Sequence, residues 1–183
     1  LRAQVIEARD CAEIRHQAEQ TLLRLASVLN ELSSPYYTGR EREDMKRNAY
    51  AAGNPDRLFY HGELIIEDDL TPVGPPAADG GLNDKKAIRY LDDFDVLYAK
   101  SEEPSVSFSN LHAGPILAKD YLLLHLLYDS ALEGRLDQQP GRALPSYRRV
   151  ATFRAEQVDG HWRTYIQQIN FYRTQYDFVA RYR

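Results

Sequence analysis

Residues 147–172 read Tyr147-Arg148-Arg149-Val150-Ala151-Thr152-Phe153-Arg154-Ala155-Glu156-Gln157-Val158-Asp159-Gly160-His161-Trp162-Arg163-Thr164-Tyr165-Ile166-Gln167-Gln168-Ile169-Asn170-Phe171-Tyr172. β-branched and aromatic residues alternate with polar ones on both sides of Asp159-Gly160, the pattern of two strands joined by a tight turn. Asp-Gly in a two-residue loop favours the type I′ turn, whose twist matches that of the flanking strands. Counting outward pairs Val158 with His161, Gln157 with Trp162, Glu156 with Arg163, Arg154 with Tyr165, Phe153 with Ile166 and Val150 with Ile169. The opposite charges of Glu156 and Arg163 support that register. One face then carries Ala151, Phe153, Ala155, Trp162, Thr164, Ile166 and Gln168, and is the expected core face. The other carries Thr152, Arg154, Glu156, Arg163, Tyr165 and Gln167 and turns apolar at Val150, Ile169 and Phe171.

Upstream, residues 120–130 are apolar on both parities, with Leu122, Leu124 and Leu126 on one face and Tyr121, Leu123, His125 and Leu127 on the other. Such a strand is covered on both faces, by helices on one side and by another element or subunit on the other. Val106 and Phe108 alternate with Ser105, Ser107 and Ser109 as a half-buried strand. Residues 58–67 read as a further strand with Leu64, Ile65 and Ile66 as its apolar part. Residues 5–32 repeat apolar side chains at three- and four-residue steps, one stripe of a helix that Ser33-Ser34-Pro35 stops. Thr38 with Glu41 forms a capping box for a second helix reaching Gly53-Asn54-Pro55. Asp84 is the expected cap of a third helix, whose Asp92, Asp93 and Asp95 are expected in solvent. Residues 71–83, rich in Pro and Gly, form a loop excursion, and 133–141 a second loop. The chain reads as one domain over 1–183, with an N-terminal arm at 1–9 and a C-terminal tail at 173–183.

The chain of 183 residues is 43 % hydrophobic and 27 % charged, with net charge −4. That balance argues against a nucleic-acid binder, which needs a basic face. Arg40, Arg42, Lys46 and Arg47 are interleaved with acids and read as a solvated helix face. No apolar run is long enough to span a bilayer. Cys11, the single Cys, makes no intrachain disulfide. Leu1-Arg2-Ala3-Gln4 has the small-residue character of a signal-cleavage site, so an exported, periplasmic or extracellular protein is favoured over a cytoplasmic one. Thirteen Tyr suit half-buried sheet faces and pocket walls.

The order of helices, strand, helix and long antiparallel strands, closed by 147–153 and the Gly160-His161-Trp162 opening of the last strand, resembles the nuclear transport factor 2-like, or ketosteroid-isomerase-like, superfamily. The resemblance implies an α+β fold in which N-terminal helices pack in the concave face of a curved antiparallel sheet, a cone-like barrel. It covers residues 10–172 in element order. Members include isomerases, dehydratases, transport adaptors and accessory domains, so the fold gives no function by itself.

The candidate pocket residues are Tyr98, Phe108, His125, Phe153, Trp162, Ile166 and Gln168, an apolar surface with a few polar points. His125, among leucines, is the one side chain there that could serve as acid or base. His16, His61, His112 and His161 have no metal-ligand spacing, so neither a metal nor a cofactor is expected. The expectation is a non-catalytic binding or interaction domain with a small apolar ligand in the cone, paired as a homodimer through the convex sheet face. An isomerase- or dehydratase-type enzyme using His125 or a carboxylate is the alternative, and an accessory domain with a filled cone the third reading.

Overall fold

In the computed structural model, which describes residues 6–70, 84–118, 120–134 and 146–173, the hairpin forms about its expected turn. The chain runs α1 (Ala8–Leu32), α2 (Gly39–Asn48), β1 (Ile65–Glu67), β2 (Asp84–Lys86), α3 (Ala87–Leu97), β3 (Val106–Ala118), β4 (Leu122–Leu132), β5 (Tyr147–Val158) and β6 (His161–Phe171). Asp159 and Gly160 both take positive φ, 52° and 80°, as a type I′ turn requires. The pairs from Val158–His161 to Phe153–Ile166 are those counted from the turn.

Beyond Phe153 the register shifts by one residue, so Thr152 faces Gln168, Ala151 faces Ile169, Val150 faces Asn170 and Arg149 faces Phe171. The expected pairing of Val150 with Ile169 is therefore corrected. One extra residue on β6, Gln167, is absorbed as a bulge, and every side chain beyond it changes face. Ile169 joins the core, while Gln168 moves to the outer face opposite Thr152. The reason is chemical: the straight register would have pointed an amide inward and left an isoleucine outward.

The sheet is curved, unclosed and mixed, in the order β2-β1-β6-β5-β4-β3. It is not wholly antiparallel, since β1 runs parallel to β6. The expected strand over 58–67 is reduced to three residues, with one further bridge from Phe59 to Ile166. Asp84 does not cap α3. It lies in β2 opposite Glu67, and Lys86 precedes the helix without a side-chain cap.

Helix α1 lays Ile14, Ala18, Leu22, Leu25, Leu29 and Leu32 on the inner sheet face, against Leu124, Leu126, Phe153 and Ile166. Thr21 and Thr164 bring their hydroxyls to 3.1 Å at that interface. Thr38 and Glu41 form the reciprocal capping box, and α2 ends at Asn48, short of Gly53. The α2 and α3 charges are not simply solvated. Lys46 is buried between Asp92 at 2.9 Å, Asp95 at 3.3 Å and Glu43 at 2.5 Å, and Asp95 also pairs with Arg42 and Lys100. These pairs raise the Lys46 pKa despite the opposing effect of burial.

β4 is covered on both sides as its pattern requires, and its outer residues Leu123 and His125 are already inaccessible within one chain. No helix among the described residues is long and apolar enough to cross a membrane. The stretch Leu1-Arg2-Ala3-Gln4, the 71–83 loop and the tail beyond Arg173 lie outside the described residues.

Candidate ligand site

On β5 the inward parity carries Ala155, Phe153, Ala151 and then Arg149, a cation 1 % exposed. A buried charge survives only when paired and hydrogen-bonded. Arg149 Nη1 donates to Asp69 Oδ2, and Nη2 donates to the Glu67 carbonyl. Its guanidinium stands 5.1 Å from the centroid of the Phe171 ring, the residue the bulge brings opposite it. The other carboxylate oxygen of Asp69 accepts from the Tyr90 hydroxyl on α3 at 2.9 Å. Burial lowers the Arg149 pKa, but the Asp69 carboxylate more than offsets this and keeps the guanidinium charged. Burial, then the Asp69 charge, pushes the Tyr90 phenol well above its ordinary range. Tyr128, which faces Arg149 across β4 and β5, is also raised by burial, with Arg149 opposing and Asp69 adding.

Three consecutive acids leave β1, and each is held by a different cation. Glu67 pairs with Arg173 at 2.7 Å, Asp68 with Lys85 at 2.9 Å and Asp69 with Arg149. Glu67 also accepts the Phe171 backbone N–H at 2.6 Å, tying β1 to the end of β6. The interior charges thus cancel locally.

The hydroxyls beside them do not find partners. Tyr98, 1 % exposed, stacks on Phe94 at 4.3 Å and 11°, and its OH meets no acceptor or donor. Burial raises its pKa, and the Asp69 and Asp68 charges add to the effect. Ser105 and Ser130 are buried with unpartnered Oγ atoms, and Arg149 Nε is likewise unused. Gly134 packs where Tyr98 and Ser105 meet: a Cβ there would lie 2.6 Å from the tyrosine ring and 2.7 Å from the serine Cβ. Buried polar atoms are normally satisfied, so this concentration of idle hydroxyls marks unused hydrogen-bonding capacity.

Of the sequence candidates, Tyr98 and Phe108 belong to this end of the core, Phe108 packing edge-on to Tyr128 at 4.8 Å. Phe153 and Ile166 point inward and are fully buried. Trp162 lies at the far end of the hairpin. His125 faces outward, with Nδ1 3.1 Å from Thr152 Oγ1, and Gln168 donates to Asn170 on the same outer face. The structure therefore does not bring His125 and Gln168 together with the inward aromatic residues. Arg149, Asp69, Tyr90, Tyr128, Ser105 and Ser130 were not singled out by pattern. Only Arg149 carried a signal, as a charge on the parity of Ala151 and Phe153. Among the described residues no three His, Cys, Asp or Glu could hold a metal.

No protein-family model and no curated protein matches the chain. Among solved structures, one named "Putative Scytalone Dehydratase", from Novosphingobium aromaticivorans, aligns over 87 % of this chain and 88 % of that one, at 10 % identity and a TM-score of 0.38. That degree of likeness assigns neither a family nor a reaction.

Proposed function

We propose that the chain is a non-catalytic binding domain whose small polar ligand is held at the inner end of β4 and β5, by Tyr98, Ser105 and Ser130 beside the Arg149–Asp69 pair. The observation that carries this reading is the contrast within the cluster. Its charges are committed to one another, whereas its hydroxyls are idle. A general base needs a carboxylate or imidazole within reach of a substrate proton. Both oxygens of Asp69 are already occupied, by Arg149 and by Tyr90. Neutral phenols and serine hydroxyls donate and accept equally well, which suits recognition of an uncharged ligand with carbonyl or hydroxyl groups. Phe94, Phe108 and Tyr128 supply the apolar walls that such sites combine with a few polar points.

A fragment screen by two-dimensional amide NMR tests the reading. Small uncharged hydroxy and carbonyl compounds are expected to shift the amides of Tyr98, Ser105, Ser130 and Tyr128, with saturable curves. Shifts confined to surface loops would overturn it, as would turnover of a fragment that Asp69→Asn abolishes.

A further inference from the structure

The opposite end of the hairpin holds a second feature that the first reading leaves unused. A cleft of about 200 Å³ opens there between the start of β4 and the turn end of β5 and β6, with Asp120, Tyr121, Leu122, Ala155, Glu156 and Trp162 among its lining residues. From Arg149 to Ala155 the strand advances about 20 Å, so the two places are separate.

Trp162 is 6 % exposed, and its backbone N–H donates to Glu13 at 3.3 Å. Its indole Nε1, however, has no acceptor. A buried indole N–H usually finds one, so an occupant of the cleft would have to provide it. The charges around the mouth are unequal. Glu156 is matched by Arg154 at 2.6 Å, and that guanidinium is held over the rings of Tyr121 at 4.2 Å and Tyr60 at 4.4 Å. Asp120 is exposed and pairs with no cation among the described residues. The mouth thus keeps one uncompensated carboxylate, the floor keeps one uncompensated donor, and the walls are apolar.

We propose that this cleft is a second ligand site, for a small organic cation that carries a hydrogen-bond acceptor. The acceptor meets the Trp162 N–H and the cationic end meets Asp120. The volume lies below that of pockets for drug-sized ligands, so the occupant is the size of an amino-acid derivative. The proposal does not depend on the hydroxyl cluster, and either can fail alone.

Trp162 is the only tryptophan in the chain, so its emission reports on the cleft without a label. The full chain is titrated with alaninamide (a cation with a carbonyl), propionamide (its neutral counterpart) and propionate (an anion). Alaninamide is expected to give a saturable change. The other two should bind roughly tenfold or more weakly, as loss of a charge-assisted hydrogen bond implies. Asp120→Asn, a substitution at an exposed position, should erase most of that preference. Absence of a saturable change with alaninamide overturns the proposal, and so does equal binding of propionamide or an unaltered preference in the Asp120 variant.

Discussion

Replacing Arg149 by methionine is expected to destabilise the protein by about 3–5 kcal/mol, the range for removing one partner of a buried ion pair. Domains of this kind are stable by only roughly 5–15 kcal/mol in total, so the variant should sit near its unfolding threshold. The loss comes less from the missing attraction than from what is left behind. Asp69 would remain a buried carboxylate with only the Tyr90 hydroxyl as partner, and the Glu67 carbonyl would lose its donor. The double change Arg149→Met with Asp69→Asn removes both charges and keeps an acceptor for Tyr90. It should recover most of the loss, because a buried pair is costly to break and cheap to replace as a unit. Urea unfolding followed through Trp162 measures both. A single variant within about 1 kcal/mol of the wild type, below the range for such pairs, would refute the view that Arg149 is a sealed interior charge.

Deleting Gln167 should be at least as damaging, although Gln167 itself contributes little to the core. The deletion removes the bulge and restores the straight register counted from Asp159-Gly160. Ile169 and Phe171 would then leave the inner face, and Gln168 and Asn170 would enter it. Exposing the isoleucine forfeits about 1.5–3 kcal/mol, and each buried amide without partners costs about 1–3 kcal/mol. The Phe171 contact with Arg149 and its backbone bond to Glu67 would also be lost. The sum is comparable with total stability, so the deletion variant should not fold. Gln167→Ala keeps the chain length and should be close to neutral. A deletion variant with native near-ultraviolet dichroism and an unchanged urea midpoint would show that the bulge does not set the faces.

These two cases also mark where the amino-acid pattern is informative. Asp159-Gly160, the α1 stripe and the Thr38–Glu41 capping box are local devices, decided by residues within a few positions of each other, and they form as read. The doubly apolar pattern of 120–130 correctly demanded cover on both faces. The bulge at Gln167 is different, because nothing local distinguishes Gln167 from Gln168. It is decided by which of Gln168 and Ile169 the core accepts, a tertiary choice. Placing Gln168 inward and Val150 opposite Ile169 followed from carrying a perfect alternation past that point. The polar cluster was hidden for the same reason. Asp69, Tyr90 and Arg149 come from a strand end, a helix and a strand separated by up to 80 positions, and meet only when β1 docks alongside β6. Arg149 was nonetheless legible in principle, since a charge on the parity of Ala151 and Phe153 must be paired inside or break the pattern.

The account stands on the idleness of the Tyr98 and Ser130 hydroxyls, and their removal from the free protein tests it most directly. Structural hydroxyls stabilise the fold, whereas hydroxyls held ready for a ligand burden it. Thermal unfolding of Tyr98→Phe and Ser130→Ala, with no ligand present, should therefore give midpoints equal to or above that of the wild type. An unpartnered buried polar group costs roughly 1–3 kcal/mol, and about 2–4 °C accompanies each kcal/mol at this chain length. A fall of that size in either variant would contradict the account, because it would mean that the hydroxyls already serve the fold.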